Sequence, residues 1–388
     1  MGLRHWLRRC GLAWAVIATL TASFVACSDP PVTVGVGFAS NLGSPGVADV
    51  AQAALDDSHR PGNRRIVVTS GDRARPFANP DPLLTEVDRA IHFAGNRSIV
   101  AVVGPTGSRE ALQTAPVYRD ARLPNLIPTG NSSRFLNLGP LFFLLAPRDS
   151  VQGAFIGEFV VERLRARRVA IMYLPDEYGI GLAAGSEAVL RRRGIDLTVR
   201  MPVRPMQACP PRVSRNEYDD VVADVLKYGA PDVVVLATRT QETACIARAF
   251  RERVASTRFV AGDGALVDET FVRLAGQAAD SMYLVAFWHR TRSDSASRAF
   301  TERFRARVGR NPRHDDAMFY DAVMLAGHAI RNGGPSRTAV ATYLGQLGRS
   351  RPPYRGVTGP IAFTPGAEPR PLIMTRLLNG QTEPVMQR

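Results

Sequence analysis

Four cysteines and six histidines are the residues of this chain that could hold a metal or act as nucleophile and base, and their spacing argues against both. None of the histidines (His5, His59, His92, His289, His314, His328) forms a metal pair at helical spacing. No histidine or second cysteine sits at ligand distance from Cys209 or Cys245, so no metal is expected. No Gly-x-Ser-x-Gly elbow is present, and nothing nominates a nucleophile, so the chain is not expected to be an enzyme. Two polar residues at the ends of apolar runs suggest binding instead. Ser108 opens a helical stretch, where free amides and the positive end of the dipole favour an anion, although serine is also favoured there as a plain N-cap. Arg239 falls just past an apolar run. Its guanidinium could clamp a carboxylate or phosphate, and it reads equally well as a solvated loop arginine.

The elements that would position these residues alternate short β-branched runs with amphipathic stretches, the pattern of βα units feeding parallel sheets. Strands are expected at 32–38, 65–69, 99–103 and 125–127, with helices at 47–57, 83–94 and 108–119. The scheme then restarts. Helices at 151–163, 181–193, 218–228 and 241–251 alternate with strands at 169–173, 196–201, 233–237 and 258–261. From 295 to 347 the chain turns mostly helical, at 295–308, 316–331 and 336–347, and strands at 359–363 and 372–378 close it. Two successive βα sets imply two α/β lobes whose strand ends face a common cleft, able to close by hinge bending.

The first 30 residues carry an export signature. Arg4, Arg8 and Arg9 precede a charge-free run from 11 to 25, which Phe24-Val25-Ala26-Cys27 closes; this is the layout of a secretory signal. Those four residues resemble the lipobox of bacterial lipoproteins, with Phe24 replacing the usual leucine. The resemblance implies cleavage of residues 1–26 and a diacylglyceryl group on Cys27, anchoring the protein outside the cell membrane. A single transmembrane anchor is the competing reading, but the run is shorter than the roughly 20 residues needed to span a bilayer. Export permits a disulfide between Cys209 and Cys245. The net charge is +14, and of 49 basic side chains only Lys227 is a lysine. The arginines are scattered. The densest groups (Arg163, Arg165, Arg167 and Arg168, then Arg191, Arg192 and Arg193) lack interleaved aromatics, so no nucleic acid partner is expected. A solvated surface with some attraction to anionic lipid or cell wall fits better.

Six segments in order carry a wider likeness: Val102-Val103-Gly104-Pro105-Thr106-Gly107-Ser108, Ile127-Pro128-Thr129-Gly130-Asn131-Ser132, Asp176-Glu177-Tyr178-Gly179-Ile180-Gly181, Ala261-Gly262-Asp263-Gly264, Phe319-Tyr320-Asp321-Ala322 and Gly359-Pro360-Ile361-Ala362-Phe363. With them the chain resembles the type I periplasmic solute-binding proteins of ABC importers, especially the branched-chain amino acid (Leu/Ile/Val) branch. The resemblance implies two Rossmann-like lobes with parallel sheets joined by a three-strand hinge. Lobe one would be 32–146 plus 288–352, and lobe two 147–287 plus 353–388. It further implies that Ser108 takes a ligand carboxylate, that Thr129, Asn131 and Ser132 form a second contact loop, and that Tyr178 closes over the ligand. Asp263 would pair with a ligand ammonium, since a carboxylate in a closed cleft is costly unless a cation meets it. Each has a plainer role open to it: turn chemistry for the 129–132 loop and Asp263, packing at a helix start for Tyr178. Arg239 departs from the family's small or aromatic residue, and either selects a second acidic group on the ligand or pairs with Asp263. Trp288 and His289 would wall the cleft or fill the hinge. The function implied is capture of a small polar solute, an amino acid or related amine, without a cofactor and for delivery to an ABC permease. A sensor subunit signalling to a membrane partner is the alternative.

Overall fold

A computed structural model describes residues 32–36, 46–59, 64–70, 82–195, 197–206, 209, 217–266, 269–364 and 371–388. The leader and Cys27 lie outside the described residues. The strands sort into two main sheets. The first is wholly parallel, in the order β2 (Ile66–Ser70), β1 (Val32–Val36), β3 (Ile99–Val103), β4 (Asn125–Ile127) and β5 (Phe142–Leu144). Helices α1 (Val47–Asp57), α2 (Pro82–Gly95) and α3 (Ser108–Asp120) connect its strands. The second sheet has a parallel part, in the order β10 (Tyr283–Ala286), β9 (Arg258–Ala261), β8 (Val233–Ala237), β6 (Val169–Tyr173) and β7 (Leu197–Pro202). Its connections carry α4 (Asp149–Glu162), α5 (Glu177–Arg192), α6 (Glu217–Leu226), α7 (Thr240–Arg251) and α8 (Glu269–Ala275).

The expectation of parallel sheets needs one correction. Beyond β10 the second sheet continues into β13 (Ile373–Leu378) and β14 (Gln381–Gln387), both antiparallel. β14 holds Pro384 and is mostly exposed, which fits an edge strand, where a missing N–H does no harm. The central strands obey the opposite rule. Every residue of Ile99–Val103 and Val233–Ala237 is buried, as a parallel strand covered on both faces must be.

After β10 the chain returns to the first sheet as α9 (Ser295–Val308), α10 (His314–Gly333) and α11 (Arg337–Gly345). α10 packs on α1, β1 and β3, and α11 on α10 and β3. One side chain fixes this long-range return. Arg337 donates from Nε to the Ile99 carbonyl (3.0 Å) and from its terminal nitrogens to Ala121 (2.9 Å), Ala94 (3.0 Å) and Asn96 (2.9 Å). One apolar cluster takes in Val100 and Leu126 of the first sheet and Val169 and Val260 of the second. It also contains Ala146, Phe287 and Trp288.

α4 and α5 pack unusually close, and this sets the stage for the site. Neither can afford side chains at the crossing. A Cβ at Gly153 would stand 2.2 Å from the Leu182 carbonyl oxygen, and one at Gly185 would stand 2.5 Å from that of Ser150. The obstacle is backbone, so it cannot swing away. Gly153→Val is therefore expected to cost about 2–3 kcal/mol through overpacking, read as a lowered midpoint in urea. An unchanged midpoint would mean that the helix pair separates freely.

Candidate functional site

The carboxyl ends of both sheets meet at one small cavity of about 70 Å³. The first sheet supplies Thr106, Gly107 and Ser108 after β3, and Thr129 and Asn131 after β4. The second supplies Tyr178 after β6, Arg239 after β8, and Asp263, Gly264 and Leu266 after β9. His314 and Asp315, in the first turn of α10, complete the wall. Six of the seven expected contact residues thus come together. Ser132 does not line the cavity. It caps the 3-10 helix Ser133–Asn137, and its hydroxyl accepts from the Arg134 amide at 3.2 Å.

On the first-sheet side the groups form an anion-ready corner. Gly107, not Ser108, is the N-cap of α3, and it offers no side-chain oxygen to the helix amides. Ser108 is the first helical residue, and its buried hydroxyl accepts from the Asn131 amide (3.2 Å). The Thr129 hydroxyl donates to the Thr106 carbonyl (2.9 Å). The Thr106 hydroxyl is buried and has no partner. Sequence reasoning passed over it because nothing in its spacing separates it from an ordinary loop threonine.

On the second-sheet side an acid stands at the centre. Asp263 is 7 % exposed, and its carboxylate accepts from Gln152 Nε2 (2.7 Å), from Asn131 Nδ2 (3.4 Å) and from the Tyr178 hydroxyl. Gln152 Oε1 also accepts from the Asp263 amide (2.8 Å), so the two residues grip each other. Burial raises the carboxyl above its ordinary range, and the charge of His314, then the hydrogen bonds from its neighbours, only partly offset this. The glycines on either side are sterically required. A Cβ at Gly262 would come within 2.4 Å of the Tyr178 hydroxyl, and one at Gly264 within 2.9 Å. The Gly264 amide donates to that same oxygen (3.0 Å). Tyr178 sits in the first turn of α5, which begins at Glu177 with Asp176 as its N-cap. That start lies four residues earlier than the periodicity indicates, because the apolar pattern becomes regular only past Gly181.

Arg239 does not pair with Asp263. It pairs with Asp176 (2.7 Å) and lies over the Tyr178 ring, 5.5 Å from its centroid. Burial works against its charge, but the Asp176 carboxylate outweighs it and the guanidinium pKa is raised. The sequence suggests only Asp263 as its acid, and spacing does not show that another loop brings Asp176 near. Trp288 and His289 do not line this cavity. They border a neighbouring one of about 250 Å³, which shares only His314 with it. The indole donates to Ser297 Oγ (3.3 Å), and the His289 ring bonds the Thr382 carbonyl oxygen (3.0 Å).

Two residues beneath the site, Asp149 and Gln152, were not anticipated. The signal was available. α4 is buried nearly all round, with Phe155, Ile156, Phe159 and Val160, so two polar residues one turn apart at its start demand partners. Gln152 has Asp263. Asp149 is fully buried with neither carboxylate oxygen hydrogen-bonded, and burial, then the charges of Asp263 and Asp176, push its pKa far up. The sign follows from where the proton binds tighter. A raised folded pKa means that stability falls as pH rises from the unfolded carboxylate range towards the folded value. Asp149→Asn should therefore stabilise the ligand-free protein at neutral pH by at least ~1 kcal/mol, with the gain shrinking as pH falls. Melting curves across roughly pH 4–8 test this; a variant less stable than wild type at neutral pH would show that Asp149 has an ionic partner.

Two parallel-sheet units presenting loops to a shared polar pocket define a solute-binding protein of the periplasmic type. The chain belongs to the periplasmic binding protein family, whose model matches residues 36–375. Among curated relatives it is similar to an amino acid binding protein of Pseudomonas aeruginosa, 24 % identical over 85 % of this chain and 86 % of that one. It is also similar to the Leu/Ile/Val-binding protein homolog 1 of Brucella abortus, 21 % identical over 83 % and 81 %. Among solved structures, the leucine binding protein LivK of Thermotoga maritima matches with a TM-score of 0.77 at 18 % identity, over 92 % of this chain and 98 % of that one. LivJ of Streptococcus pneumoniae, in complex with isoleucine, matches at 0.76 and 20 % identity over 91 % and 98 %. The fold is that of the type I periplasmic binding proteins, and the family binds solutes rather than transforming them.

Proposed function

We propose that the protein captures an α-amino acid, or a close amine-bearing relative, between two lobes and presents it to an ABC importer. The observation that supports this best is the opposition of two kinds of group across one cavity. The open amides of α3 with Ser108 face it from one side, and buried Asp263 from the other. A zwitterion satisfies both at once: its carboxylate meets the helix terminus, and its ammonium meets an acid whose hydrogen-bond partners, Gln152, Asn131 and Tyr178, are neutral, with His314 acting on it only through space. The relatives' names point the same way.

In this reading lobe one comprises 32–146 and 288–352, and lobe two 147–287 and 353–388. Because the ligand touches both, it binds the closed arrangement better and shifts the population towards it. The leader is cleaved before Cys27, and lipid on that thiol keeps the protein at the outer face of the membrane. Arg239, held by Asp176, lines the pocket as a second cation and favours ligands carrying an additional acidic or polar group over plain leucine.

A thermal-shift and calorimetric screen tests the reading, with amino acids set against carboxylic acids of similar shape that lack the amine. A ligand at about 100 times its dissociation constant should add roughly 2.7 kcal/mol of stability. Shifts confined to amine-bearing acids are the expected result. Equal shifts from the amine-free acids would remove the ammonium from the reading.

A further inference from the structure

A third cavity, of about 590 Å³, opens on the second sheet at the end away from the solute pocket. It lies against the first residues of β9 and β10, whereas the pocket follows the last of β9, a separation of roughly 10–13 Å along that strand. Four guanidinium groups line it: Arg248 and Arg251 from the end of α7, Arg258 opening β9, and Arg376 in β13. Glu252 and Asp280 are the acids in the wall. Cations are in excess there.

Some arginines of this chain find carboxylates, as in Arg134–Glu177, Arg193–Glu162, Arg253–Asp219 and Arg388–Glu158, and others, such as Arg337, are held by backbone carbonyls. Around this cavity Arg248 and Arg251 are of the second kind. Among the described residues no carboxylate comes within ion-pair distance of Arg251, Arg258 or Arg376. Arg251 donates to the carbonyls of Ala255 and Asp280 and lies over the Phe259 ring (5.1 Å to the centroid). Arg376 donates to Ser281 Oγ (2.9 Å) and lies over Tyr283 (5.9 Å), and its Nε is buried without a partner. Burial lowers the pKa of Arg251, so its charge is under-compensated where it stands. Buried Arg248 is held by the Leu274 carbonyl (3.2 Å). Ser281 has φ 64°, in the left-handed region that costs a serine energy. Such strain persists where surrounding contacts enforce it, and it gathers at ligand clamps.

We propose that this cavity is an anion site for a phosphate group, held by Arg251, Arg258 and Arg376 with the Ser281 hydroxyl. The donor set favours phosphate over a carboxylate. One guanidinium fork satisfies a carboxylate, whereas three forks and a hydroxyl match a tetrahedral group with several acceptor oxygens. Free phosphate and a phospholipid headgroup offer this same chemistry.

The experiment is calorimetric titration of the purified protein with inorganic phosphate at low salt, with chloride at matched ionic strength as the control. Flotation with vesicles of phosphatidylcholine, alone or mixed with phosphatidylglycerol, runs beside it. Phosphate is expected to bind and chloride not, and Arg258→Met and Arg376→Met should each weaken phosphate at least tenfold. Both variants should retain the wild-type response to amino acids, which shows that they are folded and that the solute pocket is separate. Flotation with phosphatidylglycerol that phosphate competes away identifies a headgroup as the source; phosphate binding without flotation identifies a soluble anion. Absence of phosphate binding by the wild type, or binding that both variants leave unchanged, overturns the proposal.

Discussion

Asp263→Asn is expected to weaken amine-bearing ligands by about 2–4 kcal/mol, roughly 30- to 700-fold, while the protein stays folded. The substitution keeps the shape of the side chain, removes its charge and turns one acceptor oxygen into a donor, which costs at most one of the bonds from Gln152 or Asn131. In the ligand-free site its hydrogen-bond partners are neutral and burial raises its pKa, with the charge of His314 across the cavity only partly opposing the rise. A ligand ammonium would add a direct ionic partner. The pH dependence has a defined sign. Because the folded pKa is raised, the ligand-free protein holds this proton more tightly than the unfolded chain does, and ionisation lowers stability as pH rises past the unfolded carboxylate range. Amine binding needs the ionised form, so affinity should fall as pH drops through the raised pKa, and the variant should lose that acid limb. Calorimetry on wild type and variant over a pH series separates these effects. Unchanged affinity in Asp263→Asn would take the residue out of the site.

What the sequence made legible follows from where each signal resides. The buried central strands at 99–103 and 233–237 and the helices at 47–57 and 295–308 begin and end where periodicity places them, because burial on one or both faces writes itself into the residue pattern. Strand β14 is polar and exposed, so it has no apolar pattern to stand out; the pattern does not mark β5 and β10, although they are as long as β4 and β9, which it does mark. The site divides in the same way. Residues at strand ends, such as Ser108, Asp263 and Arg239, can be located from the strands. Their partners cannot, because the grip of Gln152 on Asp263 spans 111 positions and Arg239 pairs with Asp176, where the sequence suggests only Asp263 as its acid. Asp149 is the instructive omission. An acid at a helix start reads as a favourable N-terminal charge; the apolar run behind it argues for partners, and the packing of α4 under α5 shows that it is sealed from water.

Removing the bond between Cys209 and Cys245 should cost about 3–4 kcal/mol, the chain-entropy value for a loop of this length, with little change in solute affinity. The sulfurs are joined across 36 positions, and both residues are buried. The closed loop contains α6, β8 and Arg239, so the bond ties the segment ahead of α6 to the middle of α7. Hydrogen bonds would hold much of that contact after reduction. The Met206 amide donates to Glu242 Oε1 (2.8 Å) and the Cys209 amide to Gln241 Oε1 (3.0 Å), both in the first turn of α7. Arg239 keeps its place through Asp176, which belongs to the start of α5 and lies outside the loop. Stability and affinity should therefore separate: the Cys209→Ser, Cys245→Ala double variant unfolds at lower urea, yet binds amino acids within a few-fold of wild type. A midpoint that neither reductant nor substitution moves would mean that the thiols are not joined in solution. A parallel loss of affinity would show instead that the bond, rather than Asp176, sets Arg239 against the pocket, and it would make solute capture depend on an oxidising compartment.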